Sequence, residues 1–416
     1  MVRAPVTAPT GARLVGLSFL RDARWFGRDR AVAYAKLIAV GYVPGLVIFY
    51  QGAVGKFGGD FVAFWSAARL ALAGNAAGAY SPATQSAFQA ALGRDHFSPF
   101  LNPPPFLALI APFGVLPFAW ALPAWVASTF ALYLLVARRL LPNGTWPIAV
   151  FSAGYINALY GQNGFVTAAL FIGAVLMLER RPLLAGLLFG ALVIKPHLAL
   201  LVPVALAAGR QWRAFGAAAI STVALLAGAY FLFGPQTTRA FLDAAPFTTT
   251  VLSDSSAPVT WLFSVIPKTP SVFAMARALG APDVIAIVVQ GVLDFGLCAV
   301  VWRLWAGPGE VIGKGAVLAA CAVLATPYLF NYDLVVQILP ICWLAREGMR
   351  RGFWPWERAL LALVYWAPFV AVVTMGLGVD LAFFSSLLLL WMLLRRWYRG
   401  TPAGAVEKID PQIAAA

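Results

Sequence analysis

Residues 33–53 read AYAKLIAVGYVPGLVIFYQGA, a run whose one charge is Lys36. A bilayer core takes about 20 apolar helical residues to cross, so this run is a membrane-spanning helix. Runs of the same character recur at 118–137, 214–233, 283–301, 359–375 and 381–394. The composition agrees, with 61% hydrophobic and 11% charged residues. A soluble domain carries roughly 25% charged residues, and a chain with under half of that cannot cover a water-facing surface. An ordinary soluble enzyme, a disordered chain and a nucleic-acid-binding protein are excluded. Cys298, Cys321 and Cys342 all lie in apolar runs and read as small buried hydrophobes.

The net charge of +14 comes from 30 Lys and Arg against 16 Asp and Glu. In a polytopic chain such an excess gathers in cytoplasmic loops. Arg3, Arg13, Arg21, Arg24, Arg28 and Arg30, with Lys36 at the start of the span, make residues 1–32 a cytoplasmic tail, too polar for a cleaved signal peptide. Basic connections at 138–139, 179–182, 209–213, 303–314, 346–358 and 395–399 mark the same side. An apolar stretch between two of them must cross an even number of times. Stretch 147–178 then breaks at Gly161-Gln162-Asn163-Gly164. Stretch 183–208 breaks at Lys195-Pro196-His197, and 316–345 breaks between Thr326 and Asp333. Each becomes a hairpin with arms of about 12–17 residues, or 18–25 Å. Such apices sink below the outer surface, where irregular backbone is tolerated if it lines a cavity. The expectation is an all-α polytopic membrane protein with about 12 spans and both ends cytoplasmic, including a tail at 399–416. Two readings stay open. Segment 105–116 is re-entrant or a full span, and 183–208 is a hairpin or one helix kinked at Pro196.

Two long loops lie outside, 55–104 and 234–282. In the first, 61–73 carries Phe64, Trp65 and Arg69 as an interfacial helix would. Residues 81–92 open with Ser81 and Pro82 and close at Gly93, the signature of a capped helix. Residues 33–398 form one transmembrane domain.

Several polar residues are candidates for chemistry. Asp60 sits just past the first span and is either a general base toward a hydroxyl or a cap for the helix that follows. Asn102 opens the Asn-Pro-Pro-Pro return to the membrane. Lys195 lies mid-run, where an ammonium is costly, and suits an anionic ligand such as phosphate; snorkelling to the interface is the alternative. His197 accompanies it. Gln162 and Asn163 offer amides suited to sugar hydroxyls. Asn331, Tyr332 and Asp333 form the third apex, and Asp333 needs a partner or a cavity so near hydrocarbon. Asp294 reads as a structural pairing, and His96 as a surface residue of the outer loop. No metal-ligand spacing and no phosphate-binding Gly-rich loop occurs, and no cofactor is expected.

The order of motifs resembles glycosyltransferase family 87. They are Gly-Gly-Asp-Phe-x-x-Phe-Trp after the first span, Ala-Ala-Arg-Leu-Ala-Leu-Ala-Gly, Asn-Pro-Pro-Pro, Gly-Gln-Asn-Gly, Lys-Pro-His and Asn-Tyr-Asp-Leu. The resemblance implies a GT-C-type bundle and a hexosyltransferase using a polyprenyl-phosphate sugar, typically mannose, as donor. The acceptor would be a membrane lipid or glycan, and the active site would face the exterior of the cytoplasmic membrane. It implies Asp60 as the catalytic acid/base and matches Lys195 to the family's Lys-Pro motif. Mannosyltransferases of this group carry a His-His pair after a Ser/Thr-Pro turn, whereas 326–333 here has none. A lipid-linked-sugar flippase or other transporter is the rival reading, since broken helices with polar residues serve transport too. The halves of this chain show no internal repeat.

Overall fold

The computed structural model describes residues 18–57, 59–94, 97–253, 269–374 and 381–400. His96 and the tail from 401 onward lie outside them. The regular structure of the described residues is all helical, with no strand among them.

The first run is helix α1 (Arg28–Gly52), which loosens into a π-helical turn at Ala53–Phe57. The outer loop holds α2 (Phe61–Leu72), α3 (Pro82–Ala91) and α4 (Pro104–Ile110). Ser81 caps α3, its Oγ accepting the Thr84 N–H at 3.2 Å, and Pro82 opens the helix. After α5 (Phe118–Ala137) and the short α6 (Thr145–Ala149) come α7 (Ser152–Tyr160), α8 (Gly164–Met177), α9 (Pro182–Ala191) and α10 (Val202–Ala208). Then follow α11 (Trp212–Phe233), α12 (Pro235–Ser253), α13 (Val272–Ala278), α14 (Asp283–Ala306) and α15 (Val311–Leu324). The chain closes with α16 (Ile338–Arg351), α17 (Glu357–Val373) and α18 (Leu381–Arg399).

Among the described residues, five helices are long and apolar enough to cross a membrane: α1, α5, α11, α14 and α18. Helices α1, α11 and α14 expose rows of large apolar side chains, among them Leu37, Val40, Ile220, Val223, Val288 and Val292. Those faces suit lipid rather than water. The short helices occupy the centre. Residues 316–324 of α15 are fully buried, and most of α8 is buried too. A helix that is apolar on every side belongs in such a place.

Stretch 183–208 is a hairpin rather than one kinked helix. Gly186 of α9 lies against Ala214 and Ala217 of α11, and Gly190 lies against Ala218 and Ser221. The two contacts advance together, so α9 and α11 run parallel in register. The chain between them must therefore rise and return, turning at Lys195 through two 3₁₀ segments, Leu192–Ile194 and Pro196–Ala199. A Cβ on either glycine would run into the backbone carbonyls of Ala214 and Ala218. Gly-x-x-x-Gly thus lets two helices approach as closely as membrane helices do. The third hairpin is antiparallel, since Trp343 and Arg346 of α16 bond Glu310 at the start of α15.

Segment 105–116 becomes α4 followed by a 3₁₀ turn, Ala111–Val115. Helix α2 differs from a surface-lying helix. Phe61 through Ala68 are all buried, and the partners are protein: Phe64 meets Phe100 and Phe106, and Trp65 meets Phe118. The outer loop folds back over it through a buried amide knot of Ser66, Gln85 and Gln89. A single-chain pattern of apolar residues does not say whether lipid or protein will cover them.

Candidate active site

The first loop and the three hairpin apices meet at one place. Gly59, at a φ of +58°, turns the chain into α2 and sets Asp60 at its N-terminus. The Asp60 side chain caps none of the N–H groups of α2. Its Oδ2 instead accepts a hydrogen bond from Gln162 Nε2 at 3.0 Å.

Gln162 reaches it because of the two glycines around it. Gly161 ends α7 in the left-handed region, φ +65°. A Cβ there would come within 2.8 Å of the Phe61 side chain and 2.7 Å of Leu122. A Cβ on Gly164 would fall 2.5 Å from the Tyr332 carbonyl. The turn is therefore wedged between the start of α2 and the third apex, and glycine is what fits on both sides. Asn157, one turn back on α7, accepts the Gly164 N–H at 2.7 Å and holds the turn shut.

The next residue faces the other way. Asn163 Oδ1 accepts from Lys195 Nζ at 2.8 Å. The same ammonium is paired with Asp333 Oδ1 and stands 5.0 Å from the centre of the Tyr332 ring. Lys195 is 7% exposed and Asp333 is fully buried. Asp333 also accepts the Phe330 N–H at 3.2 Å, and His197 Nε2 lies 3.8 Å from its Oδ2. The partner that a carboxylate beside hydrocarbon needs is thus Lys195. Snorkelling is excluded, since the ammonium points into protein. An ammonium and a carboxylate both removed from water hold each other in place, and loss of either would strand a buried charge.

Asn331 is 3% exposed, and neither its Nδ2 nor its Oδ1 has a hydrogen-bond partner among the described residues; the same holds for Asn163 Nδ2 and His197 Nε2. Buried polar atoms are normally paired, so this cluster carries unused hydrogen-bonding capacity beside a charged pair. Asn102 is set slightly apart. Its Nδ2 approaches the Ile194 carbonyl at 3.5 Å, and its own carbonyl accepts from Tyr80 at 3.0 Å. It braces the second apex from the outer loop.

Tyr160 and Phe330, which the sequence did not single out, join the site around Tyr332. Tyr160 and Tyr332 have ring centres 6.3 Å apart, Phe330 stacks on Tyr332, and the Asp60 carboxylate acts electrostatically on both tyrosines. Tyr160 directly precedes the Gly-Gln-Asn-Gly turn, the one signal that marked it. Arg94 donates from Nη1 to the Ala53 carbonyl at 2.8 Å and lies over the Phe118 ring, tying the outer loop to the end of α1. Asp294 is not part of the site. Gln290, one turn earlier on α14, donates to it at 2.7 Å and to the Leu324 carbonyl at 3.0 Å, a structural pairing. All three cysteines are free thiols.

The model of glycosyltransferase family 87 matches residues 100–327, more than half of the chain. The chain belongs to this family. It is therefore a glycosyltransferase, and the transporter reading falls away. The matched span contains Asn102, Gln162, Asn163, Lys195 and His197. Asp60 and the Asn331–Asp333 apex lie on either side of it, so their place in the site rests on the contacts just described. No curated protein and no solved structure matches the chain.

Proposed function

We propose that this glycosyltransferase moves a sugar, mannose in the first instance, from a polyprenyl-phosphate donor to a lipid or glycan acceptor on the outer side of the cytoplasmic membrane. The chain would cross about 12 times, with both termini inside. The observation that carries the reading is the continuous line Asp60–Gln162–Asn163–Lys195–Asp333, in which a carboxylate and an ammonium are joined through adjacent amides where the first loop and the three helix breaks meet. A donor with a polyprenyl tail is apolar along its length and anionic at its head. A site at the membrane-buried ends of helices suits both parts.

In the proposed reaction the acceptor hydroxyl gives its proton to Asp60 as its oxygen attacks the anomeric carbon. The bond from that carbon to the phosphate oxygen breaks, and its electron pair leaves with the polyprenyl phosphate. Attack from the face opposite the leaving group inverts the anomeric configuration. Lys195, steadied by Asp333 and Asn163, offsets the charge growing on the phosphate, a contribution that is large in a dry, preorganised site. Gln162 holds the carboxylate of Asp60 in position. Asn331, His197 and the free amide of Asn163 are placed to meet sugar hydroxyls, and the Tyr332 ring offers a face for the pyranose. Purified protein incubated with polyprenyl-phosphate mannose and a panel of glycolipids tests this. Label transferred with inverted configuration supports it. Transfer only from a nucleotide sugar, or with retention, contradicts it.

A further inference from the structure

The opposite end of the bundle holds a second feature. Midway along its length α1 is pressed against α7, with the Tyr42 and Tyr155 rings stacked at 3.7 Å, and near its end Phe49 meets Tyr160. Towards its basic end α1 leaves a cavity of 280 Å³, bounded by α16, α17 and the 141–148 connection. The walls are apolar and include Ile38, Ile148, Ile341 and Trp366. Along α16 the lining runs from Ile338 to Met349, about 16 Å at 1.5 Å per residue. That is close to half of a bilayer core of about 30 Å, the depth of a single leaflet.

Two cations complete the lining, Arg28 and Arg358. Arg358 is half-buried. Its Nη1 donates to the Ala23 carbonyl at 3.2 Å, and its plane lies 4.5 Å from the Phe353 ring centre. Its Nη2 and Nε donate to no described residue. Arg28 is exposed at the first turn of α1. Arg24 adds positive potential at Arg358, and Asp22 offsets part of it. Asp29, exposed on α1, is the other acid of this stretch. Arg21, Arg30 and Lys36 leave the balance clearly basic.

We propose that this cavity binds an anionic phospholipid of the surrounding bilayer, with one acyl chain between α1, α16 and α17 and its phosphate on Arg28 and Arg358. The apolar depth selects an acyl chain, and the two guanidinium groups in the lining select a negatively charged head. The lining begins at Ile338, just past the third apex, and extends from there towards the basic end of α16; the proposal stands whatever sugar or donor the enzyme uses.

Native mass spectrometry of the full-length protein tests it, with phosphatidylglycerol and phosphatidylcholine of identical chains supplied in detergent. At about 1 kcal/mol per basic residue near the head group, two arginines predict a preference for phosphatidylglycerol of about 30-fold. Arg28→Gln with Arg358→Gln should erase that preference. Ala345→Phe, which fills the cavity, should abolish retention of either lipid. Arg303→Gln, exposed on the same basic end but outside the cavity, should change nothing. Equal retention of the two lipids, or a preference that survives the double arginine replacement, overturns the proposal. So does a photocrosslinker at Met349 that captures the chain's own residues 1–17 or another protein instead of lipid.

Discussion

Gln162 and Asn163 are neighbours in the chain and serve opposite sides of the site, one holding Asp60 and the other Lys195. Their substitutions should therefore separate. Gln162→Leu leaves the Asp60 carboxylate unheld. A misplaced group at a reacting centre costs about 10²-fold, so kcat should fall by that order while KM moves little. Steady-state kinetics would show it, and an unchanged kcat would mean that Gln162 only fills the turn. The Lys195–Asp333 pair behaves differently. Either residue replaced alone, as Lys195→Met or Asp333→Asn, leaves a buried charge unpaired, at about 3–5 kcal/mol. Both single variants should melt well below the parent in detergent. The double variant should regain most of that stability and still transfer no sugar. If the double variant also regains transfer, the pair is a structural staple and not part of the phosphate site.

At the scale of elements, glycines decide which helices touch. Gly186→Leu or Gly190→Leu would drive side chains into the carbonyls of α11 and should lower the melting temperature sharply. Gly216→Leu, on α11 but with no atom near its Cβ position, serves as the silent control. A pair of variants as stable as the control would contradict the parallel packing of α9 and α11. Much of this level was legible in the sequence. Five of the six long spans, the capped helix at Pro82–Ala91 and the three breaks follow from apolar run length, cap chemistry and charge placement; the run at 359–375 forms the 17-residue α17, which is not among the five. The environment of α2 did not follow, because its residues are apolar whether lipid or protein covers them. The role of Gly186 and Gly190 was equally hidden, since glycines in an apolar run show a close approach only once the partner helix is known. At the site, single polar residues in apolar runs stood out by their cost. Which of them pair did not, because Lys195 and Asp333 lie 138 residues apart on two different apices.

Over the whole molecule, the proposed even-crossing scheme puts the basic connections and the hairpin apices on opposite sides of the membrane. In a background with Cys298, Cys321 and Cys342 replaced by alanine, single cysteines at Ser86 and Gln236 should react with an impermeant thiol reagent added to intact cells. Cysteines at Arg181, Arg210 and Arg351 should be protected until the membrane is opened. All five positions are exposed on the protein, so access depends on the bilayer alone. Labelling at Arg181 from outside would overturn the even-crossing scheme. In the proposed reaction the proton goes to Asp60, which begins α2 without capping it. The most direct measurement is sugar transfer by Asp60→Asn beside its binding of the polyprenyl-phosphate donor. Asn is nearly isosteric but takes no proton near neutral pH, and a positioned base supplies about 10²–10⁴-fold in rate. The prediction is a loss of that order with donor binding and detergent stability intact. Near-normal transfer by Asp60→Asn would contradict it.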